Sequence, residues 1–430
     1  MKNLTALILA AGAGKRFWPF SQKVLFPFMG KTFFEHAIVS ILPKEVERVV
    51  IVGSSENEKA LRSIKFSVPS TIVVQKTPSG MANAIVTAED EIKDSSLLVI
   101  NADDIENPNV YEEIIKKAQL SQAFGIVPAI HTDSYEEAGY LVLDGTKIKK
   151  IEEKPGAGNE PSKLIFMVSY FVRDANTLIN SLKQTQSDKD DVHERALTSL
   201  MQSHNFELYE HEGAFVSLKY PWHVLSAMEI LLKKIESFRG NNVTTHKNVT
   251  IEGDVYIGDN VKIFEGTKII GPCYIGPNTI IGNNNLIRES HIGSNCVTGF
   301  NTDITRSYVG DRCWFHSNYI GDSILESDIT LGAGTILANL RLDEGEILTS
   351  GRTKLGAIIG TDTHIGVNTS IMPGIKIGSH CFIGAQVSID RDIQDDSFCI
   401  GKTELIIKKN TRTIAKQSRE SFREKMKKYV

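Results

Sequence analysis

The sequence has few cysteines, and their arrangement excludes two common uses of the residue. All five lie in the second half of the 430-residue chain: Cys273, Cys296, Cys313, Cys381 and Cys399. The count is odd and no two cysteines form a close Cys-x-x-Cys pair, which argues against a disulfide framework and against a zinc site. The simplest interpretation is a protein of a reducing cytoplasm.

Long apolar runs and a large excess of one charge are also missing. The run from Leu4 to Ala11 is about half of the ~20 residues that a membrane-spanning helix needs. Lys15 and Arg16 follow it at once, which does not fit a secretory signal. The 48 Lys and Arg residues stand against 52 Asp and Glu residues, a net charge of −4. We therefore expect neither a membrane anchor nor a nucleic-acid partner.

Two periodicities divide the chain. Up to about residue 220, short apolar runs alternate with amphipathic stretches, a βαβ rhythm that predicts a Rossmann-like α/β domain with a mostly parallel sheet. In the second half, isoleucine recurs every six residues from Ile251 to Ile287 and again from Ile359 to Ile389. Glycine often follows the isoleucine. This spacing is the hexapeptide repeat of a parallel β-helix, with the isoleucines stacked inward.

The stretch YPWHVLSAMEILLKKIESF predicts a helix between the two halves, with Gly240 as its C-cap. We therefore predict a first domain over residues 1–238 and a β-helix over residues 239–410. The basic tail, residues 411–430, is expected to be a solvated helix.

The motif LAAGAGKR at the end of the first apolar run matches no Walker A motif, because no Gly-Lys-Ser/Thr follows. It resembles the LAAGxGxR motif of the sugar-1-phosphate nucleotidylyltransferases, which have a lysine a few residues on, here Lys23. Backbone N–H groups at Ala11, Gly12 and Gly14 can approach a triphosphate. Arg16 can bind it bidentately, and Lys23 adds a positive charge near the phosphate that is attacked.

The same resemblance implies the rest of a nucleotide-sugar site. Asp103 in NADD would hold Mg²⁺, and Gln75 with Gly80 would read a pyrimidine base, from UTP or dTTP. Contacts to the sugar and phosphate would come from Gly139, Glu153 and Lys154. Two positions depart from the family: Met167 stands where asparagine is usual, and Ser217 stands where Asp or Asn usually helps to hold metal.

The second half resembles the acetyltransferase part of the bifunctional N-acetylglucosamine-1-phosphate uridylyltransferase/glucosamine-1-phosphate N-acetyltransferase family. The matching patterns are HxxYxGD from His316, GAGT followed by AN, KxxAIIG and IGA. With the first half included, the resemblance spans nearly the whole chain. It implies a left-handed β-helix and a homotrimer whose sites lie between subunits. The segment ANLRLDEGE is closer to archaeal than to bacterial members.

The resemblance also implies residue roles for acetyl transfer. His316 would take a proton from the glucosamine amine as the amine attacks the acetyl-CoA thioester, because histidine titrates near neutral pH. The phosphosugar would contact Arg306, Tyr319 and Lys354. Acetyl-CoA would contact Ala333, Asn339, Ala385 and Lys402. Thr330 and Val367 depart from the usual Asn and Ser, and the other histidines of this half, His246, His291, His364 and His380, are expected to be exposed bystanders.

Three functions stay open at this point. The first is a bifunctional enzyme that acetylates glucosamine-1-phosphate and then transfers a uridylyl group to it. The second is a thymidylyl- or uridylyltransferase whose β-helix only builds the oligomer, and the third is a non-catalytic regulatory subunit. The presence of Arg16, Lys23, Asp103 and His316 together favours an enzyme, because a scaffold has no need of this set.

Overall fold

The computed structural model describes residues 3–107, 109–145, 147–402, 404, 406–411 and 416–427. The helices of the first half are α1 (Phe33–Ala37), α2 (Glu58–Leu61), α3 (Gly80–Thr87), α4 (Glu89–Ile92), α5 (Val110–Leu120), α6 (Ala175–Gln184), α7 (Val192–Ser203) and α8 (His223–Leu232). The strands of the first half are β1 (Leu4–Leu9), β2 (Pro27–Phe28), β3 (Lys31–Thr32), β4 (Arg48–Ser54), β5 (Ser70–Gln75), β6 (Ser96–Asn101), β7 (Asp104–Ile105), β8 (Gly125–His131), β9 (Gly139–Asp144), β10 (Lys147–Glu153), β11 (Leu164–Phe166), β12 (Tyr170–Val172), β13 (Phe206–His211) and β14 (Val216–Ser217).

Ten of these strands form one sheet in the order β11-β9-β10-β13-β8-β12-β6-β1-β4-β5. Every residue of β1 is buried, and β6, β1, β4 and β5 pair in parallel. The sheet is not mostly parallel, however, because β9, β10, β11 and β12 pair antiparallel with their neighbours. The connection between Asp144 and Lys147 is too short for a crossover helix, so β9 and β10 can only form a hairpin.

The second half is built from two- and three-residue strands. They are β15 (Phe238–Arg239), β16 (Thr244–Thr245), β17 (Thr250–Glu252), β18 (Val255–Ile257), β19 (Lys262–Ile263), β20 (Lys268–Ile270), β21 (Cys273–Ile275), β22 (Ile280–Ile281), β23 (Leu286–Arg288), β24 (His291–Ile292), β25 (Asp303–Thr305), β26 (Tyr308–Val309), β27 (Trp314–Phe315), β28 (Tyr319–Gly321), β29 (Ile324–Leu325), β30 (Thr330–Leu331), β31 (Ile336–Leu337), β32 (Ile358–Ile359), β33 (His364–Ile365), β34 (Ser370–Ile371), β35 (Lys376–Ile377), β36 (Phe382–Ile383), β37 (Ser388–Ile389) and β38 (Phe398–Cys399). In the tail, α9 spans Lys416–Met426.

These strands stack in parallel into three walls. The first wall is the eight-stranded sheet from β15 to β35, and another eight-stranded sheet runs from β17 to β37. The third wall is split into β16-β19-β22 and β27-β30-β33-β36-β38, which isolated bridges through Val297 connect. The inward isoleucines form one buried column, from Ile257 to Ile389. The predicted fold class, an α/β nucleotidyltransferase domain followed by a left-handed parallel β-helix, is confirmed.

The corners of the β-helix leave no room for a side chain at some glycines. A Cβ placed on Gly282 would lie 1.4 Å from the carbonyl oxygen of Gly299 in the next coil. This contact explains why glycine often follows the repeating isoleucine.

The helix predicted before the β-helix is shorter than the sequence pattern suggested. Helix α8 ends at Leu232 with Lys233 as its C-cap. Phe238 and Arg239, which the pattern placed in the helix, instead pair with β18 as the first strand of the β-helix. Gly240 is therefore not a C-cap. It lies at the first corner, where its N–H donates to the carbonyl of Ile257 at 2.8 Å.

The first wall of the β-helix packs against the first half through a ladder of aromatic rings. Phe238, Tyr256, Tyr274, His291 and Tyr308 stack on successive coils, with ring centroids 4.6 to 4.9 Å apart. Tyr308 then contacts Phe26, at 5.0 Å, and Phe28, at 5.5 Å. A single hydrophobic core therefore includes residues of both halves.

His291 is not the exposed bystander that the sequence suggested. Its side chain is buried, and its Nε2 accepts a hydrogen bond from the Met29 N–H at 3.0 Å. The proton must then be on Nδ1, which donates to the Val309 carbonyl at 3.0 Å. Burial lowers the pKa of His291 to about 4, so the neutral ring is part of the interface between the halves. By contrast, His364 and His380 are exposed and His246 is half-buried.

Among the described residues, no helix is long and apolar enough to cross a membrane.

The isoleucine column offers a matched pair of substitutions. Ile287 is fully buried, whereas Ile251, at the same repeat position near the start of the β-helix, is 38% exposed. We expect Ile287→Ala to lower the free energy of unfolding by about 2–5 kcal/mol, because it leaves a cavity between tightly packed coils. Ile251→Ala should cost less than about half of that. Urea denaturation of the two variants checks this, and equal losses would contradict the inward stacking.

Candidate active sites

A cavity of about 680 Å³ opens at the carboxyl ends of β1, β5 and β6. Nearly all of the residues predicted for nucleotide and sugar binding line it: Ala11, Gly12, Arg16, Lys23, Gln75, Gly80, Asp103, Gly139, Glu153 and Lys154. Gly14 is the predicted residue that does not line the cavity. Parallel strands with adjacent carboxyl ends bring these distant segments together.

The motif LAAGAGKR, residues 9–16, forms one side of the cavity, and we call it the phosphate loop after its predicted role. Gly14 has a φ of 61°, a left-handed conformation that turns the chain into a short 3₁₀ helix at Lys15–Phe17. Arg16 projects from this helix with a side chain that is 55% exposed. Its guanidinium lies 5.5 Å from the ring centroid of Tyr220 and 3.9 Å from the carboxylate of Glu137. These contacts hold Arg16 loosely at the cavity mouth, where it can reach a phosphate.

Lys23 and Asp103 form an ion pair within the cavity, with side chains 14% and 22% exposed. Asp103 follows β6, and its carbonyl accepts from the Leu218 N–H at 2.8 Å. This hydrogen bond brings Ser217 and Lys219 to the cavity wall, close to Glu137, which Arg16 also contacts. The pairing fixes the lysine beside the carboxylate that was predicted to hold metal.

The donors present fit a magnesium ion that is shared with a substrate. Mg²⁺ commonly takes one or two carboxylates and completes its shell with water and substrate phosphates. Asp103 offers one carboxylate in the cavity, and the adjacent Asp104 has a buried oxygen, Oδ1, with no hydrogen-bond partner. Within the described part of the chain, no group of three or more acidic, His or Cys side chains could hold a metal. Asp103 would therefore hold the ion together with substrate oxygens rather than within a complete set of protein ligands.

The opposite end of the cavity presents an amide. Gln75 is buried, and its Nε2 donates to Asn83 Oδ1 at 2.9 Å and to the Gly80 carbonyl at 3.4 Å. These bonds fix the amide and leave Oε1 as an acceptor. Sequence reasoning missed Asn83, although it lies three residues after Gly80 on α3 and therefore on the same helix face.

Glu153, Lys154 and Gly139 form the third region of the cavity. A Cβ on Gly139 would lie 3.1 Å from Glu153 Oε2, so glycine leaves room for this carboxylate. Burial raises the pKa of Glu153, and the nearby Glu194 adds to the effect. Glu194 itself bonds the buried His193, whose Nε2 lies 2.9 Å from the Tyr170 hydroxyl. His193 and Glu194 line the cavity and were missed, because no motif marks them.

The two departures from the family pattern have different outcomes. Met167 is buried in the hydrophobic core and does not line the cavity. Ser217 does line it, at the place where a carboxylate or amide was expected. Lys219 lies two residues further on the same wall, and its Nζ donates to the Glu137 carbonyl at 3.0 Å. This wall therefore presents a cation, which sequence reasoning missed.

Two buried acids lie behind Asp103. Burial raises the pKa of Asp104 to about 6 and, with the charge of Asp104, raises that of Glu106 to about 8. Asn101 donates to Asp104 at 2.8 Å. Among the described residues, neither carboxyl oxygen of Glu106 has a hydrogen-bond partner. Glu106 is therefore protonated at neutral pH.

A polar cluster lies on the wall of the β-helix formed by β25, β28 and β31. Arg306 forms a bidentate ion pair with the buried Asp322, at 2.7 and 2.8 Å. Asn339 Nδ2 also donates to Asp322, and the Tyr319 hydroxyl donates to Asn339 Oδ1 at 3.4 Å. A Cβ on Gly321 would lie 2.6 Å from Asn339 Nδ2, so the cluster needs this glycine. Asn339, predicted for acetyl-CoA, thus contacts Tyr319, predicted for the phosphosugar.

Other predicted residues of this half are exposed near the cluster or along a neighbouring corner. Lys354 pairs with Leu340 in an isolated antiparallel β-bridge. The next residue, Leu355, donates its N–H to the Asn339 carbonyl at 3.0 Å. His316, Ala333 and Ala385 are exposed along one corner, where the coil of Val367 separates Ala333 from Ala385, and Lys402 is exposed beyond the last coil. The His316 ring lies 6.2 Å from the Trp314 ring. These side chains form an open surface on a single chain.

Comparisons with known proteins agree with both halves. The Nucleotidyl transferase family matches residues 5–215, and the Bacterial transferase hexapeptide (six repeats) family matches residues 254–289 and 356–391. The bifunctional protein GlmU of Methanococcus vannielii is 32% identical over 435 residues, covering 94% of this chain and all of that protein.

Two further matches complete the comparison. The bifunctional sugar-1-phosphate nucleotidylyltransferase/acetyltransferase of Sulfurisphaera tokodaii is 30% identical, covering 91% of this chain and 98% of that protein. Among solved structures, apo UDP-glucose pyrophosphorylase covers 54% of this chain and 98% of its own, with 22% identity and a TM-score of 0.48.

The buried Glu106 gives a pH-dependent prediction for stability. Its folded pKa of about 8 lies above the ordinary value of 4.5, so the folded state retains a proton that the unfolded state loses. The stabilisation from this proton is complete below about pH 4.5 and is lost as the pH rises through about 8. We expect Glu106→Gln to raise the melting temperature over wild type increasingly from pH 5 to pH 9.

Glu112→Gln is the control, because Glu112 is exposed on the following helix, α5. Its melting temperature should differ from that of wild type by the same amount at every pH. Parallel curves for Glu106→Gln and wild type would contradict the raised pKa.

Proposed function

The chain belongs to the family of bifunctional GlmU proteins, which join a sugar-1-phosphate nucleotidylyltransferase to an acetyltransferase, and we propose that it makes UDP-N-acetylglucosamine in two steps. The β-helix acetylates glucosamine-1-phosphate from acetyl-CoA. The first half then transfers a uridylyl group from UTP to the acetylated sugar phosphate and releases pyrophosphate.

The observation that carries this proposal is the set of groups that line one cavity: Arg16, Lys23 and Asp103, the fixed amide of Gln75, and Glu153. A nucleoside triphosphate and a sugar phosphate need this set: cations for phosphate, an amide for the base and a carboxylate for sugar hydroxyls. Gln75 Oε1 can accept the N3–H of uracil or thymine, so the amide alone does not separate UTP from dTTP.

Uridylyl transfer is an in-line displacement. A phosphate oxygen of the sugar attacks the α-phosphorus of UTP, and the bond to pyrophosphate breaks without a covalent intermediate on the protein. Lys23 and Arg16 neutralise charge on the reacting phosphates, and the cavity holds the two substrates in line. Mg²⁺, which Asp103 would hold, supplies further charge neutralisation when bound. Lys219 adds a cation on the wall where the family usually has a carboxylate or amide.

Acetyl transfer takes place on the β-helix. The amine of glucosamine-1-phosphate attacks the thioester carbonyl, His316 accepts the amine proton, and coenzyme A leaves as the thiol. A backbone N–H near Ala333 stabilises the tetrahedral oxyanion. Tyr319 and Lys354 bind the sugar phosphate. Arg306 acts indirectly, because its bidentate pair with Asp322 holds the acceptor that fixes Asn339.

The assembly and the compartment are part of the same proposal. The acetyl-transfer residues form an open surface on one chain, which a second copy would close, and this supports a homotrimer with sites between subunits. All five cysteines are free thiols, which supports a reducing cytoplasm. A monomer by light scattering would contradict the trimer.

One coupled assay tests the function. The purified protein is given glucosamine-1-phosphate, acetyl-CoA, UTP and Mg²⁺, and free thiol and pyrophosphate are followed together. Both products are expected, with pyrophosphate dependent on prior acetylation. Thiol without pyrophosphate would contradict uridylyl transfer. Pyrophosphate without thiol would contradict acetyl transfer and favour the single-activity nucleotidylyltransferase.

His316→Ala should reduce thiol release by roughly 100-fold or more, because the attacking amine loses its base. Pyrophosphate release from UTP and pre-acetylated sugar phosphate should stay unchanged, since the first cavity is untouched. His246→Ala is the control, because His246 is a half-buried histidine near the start of the β-helix. A parallel loss of both products in His316→Ala would show that the sites are not separate.

Lys23→Met should lower kcat for pyrophosphate release roughly 100-fold, because a fixed cation beside the reacting phosphate is removed. Thiol release should remain at the wild-type level. Lys15→Met is the matched control, because Lys15 is an exposed lysine of the same loop that does not line the cavity. Equal effects of the two substitutions would rule out a specific role for Lys23.

A further inference from the structure

The segment that carries Lys23 lies along the first wall of the β-helix. It runs from Trp18, two residues after Arg16, to Met29. Both of its ends contact the β-helix directly, and Lys23 lies between them.

Trp18 makes the contact nearer to the phosphate loop. Its indole N–H donates to the carboxylate of Asp395, at 3.2 and 3.3 Å from the two oxygens. The ammonium of Lys376 lies over the indole, 5.5 Å from the ring centroid. Asp395 is fixed in turn, because its Oδ1 accepts from the Ser379 N–H at 2.8 Å. Trp18 lies near the start of the sequence and Lys376 and Asp395 lie near its end, and the fold brings the three side chains into contact.

The far end of the segment is fixed by the aromatic ladder. The Tyr308 hydroxyl donates to the Pro27 carbonyl at 2.7 Å, and the Met29 N–H donates to His291. Phe26 and Phe28 at this end are buried and belong to the shared hydrophobic core. The near end, by contrast, lies at the surface, where Asp395 is exposed and Trp18 half-buried.

The loop is held from the first half by Phe17, whose ring contacts Phe20 and Phe26, whereas Arg16 has few contacts of its own. The Arg16 side chain is 55% exposed, and its nearest partners lie at 3.9 and 5.5 Å. Phe17, between Arg16 and Trp18, is fully buried. The direction of the Arg16 side chain therefore depends on how the side chains of Phe17 and Trp18 pack.

We propose that Trp18, with Asp395 and Lys376, is a positioning contact through which the β-helix holds Arg16 and Lys23 in place for nucleotidyl transfer. It rests on the function proposed above. Misplacing a reacting or charge-stabilising group by a fraction of an ångström slows a reaction that depends on positioning. The nucleotidyl half should therefore depend on the β-helix, although none of the described β-helix residues lines its cavity.

Trp18→Phe, Asp395→Asn and the double variant test the proposal. Trp18→Phe keeps a ring beside Lys376 and removes the N–H, and Asp395→Asn weakens the acceptor. Each single variant should lower kcat for pyrophosphate release by roughly three- to tenfold, the worth of a hydrogen bond to a charged group. The KM for the sugar phosphate and the rate of thiol release should not change. The double variant should be no slower than either single variant, because one contact is lost in all three.

Asp396→Ala is the matched control. Asp396 is the next residue along the coil, and it pairs with His380 of the β-helix at 3.4 Å. The Asp396→Ala variant should release thiol and pyrophosphate at the wild-type rates. Additive losses in the double variant, or a fall in thiol release with pyrophosphate release, would mean that the substitutions disturb the fold and would overturn the proposal.

Hydrogen–deuterium exchange separates this proposal from the proposed function. Peptides covering residues 10–26 should exchange faster in Trp18→Phe and Asp395→Asn than in wild type and Asp396→Ala. If wild type releases no pyrophosphate, the proposed function fails, and the exchange rates still decide whether the contact orders the loop. Unchanged exchange in the Trp18 and Asp395 variants would overturn the positioning role.

Discussion

The aromatic ladder on the first wall of the β-helix is the interaction on which the arrangement of the two halves depends. Rings on successive coils of a parallel β-helix are brought into register by the backbone hydrogen bonds, so they stack without further cost in conformational freedom. Tyr308 at one end of the ladder packs against Phe26 and Phe28. The neutral His291 adds a directional bond to Met29. The interface is thus both apolar and specific, and it fixes the segment that carries Lys23.

The β-helix and the phosphate loop could be predicted from the sequence, because the first has a strictly periodic signal and the second a local one. The six-residue spacing of isoleucine has one structural solution, and the phosphate loop is a short contiguous motif. The sequence could not predict that β11 and β12 pair antiparallel, because short apolar runs look alike in either direction. Gly240 was misassigned for a related reason: glycine suits a helix end and a β-helix corner equally well. The hairpin of β9 and β10 was missed although its short connection can be read in the sequence.

Several contacts that the sequence does not reveal join distant parts of the chain. His291 appears as an isolated polar residue in the sequence, and its burial follows from residues 262 positions away. Asn339 was assigned by motif to acetyl-CoA, but the coil geometry stacks it over Tyr319 and Asp322. Trp18 and Asp395 are 377 residues apart. A single sequence contains no signal for such pairs, so only the fold reveals them.

The charges around the first cavity give a physical reason to expect a divalent cation. With a pKa of about 8 Glu106 is neutral at pH 7, whereas Asp104, with a pKa of about 6, is mainly ionised. Asp103 and Asp104 then balance Lys23 and Lys219, and Glu137 lies near enough to Arg16 to offset part of its charge. The other charged residues of the lining also balance, with the cations of Lys154, Lys183 and Lys189 against the carboxylates of Glu153, Asp190 and Glu194, so the cavity is close to neutral. A nucleoside triphosphate brings about four negative charges, and neutralising them needs positive charge that the side chains do not supply alone. A magnesium ion held by Asp103 would enter with the nucleotide, whose oxygens would complete a set of ligands that the cavity does not supply alone.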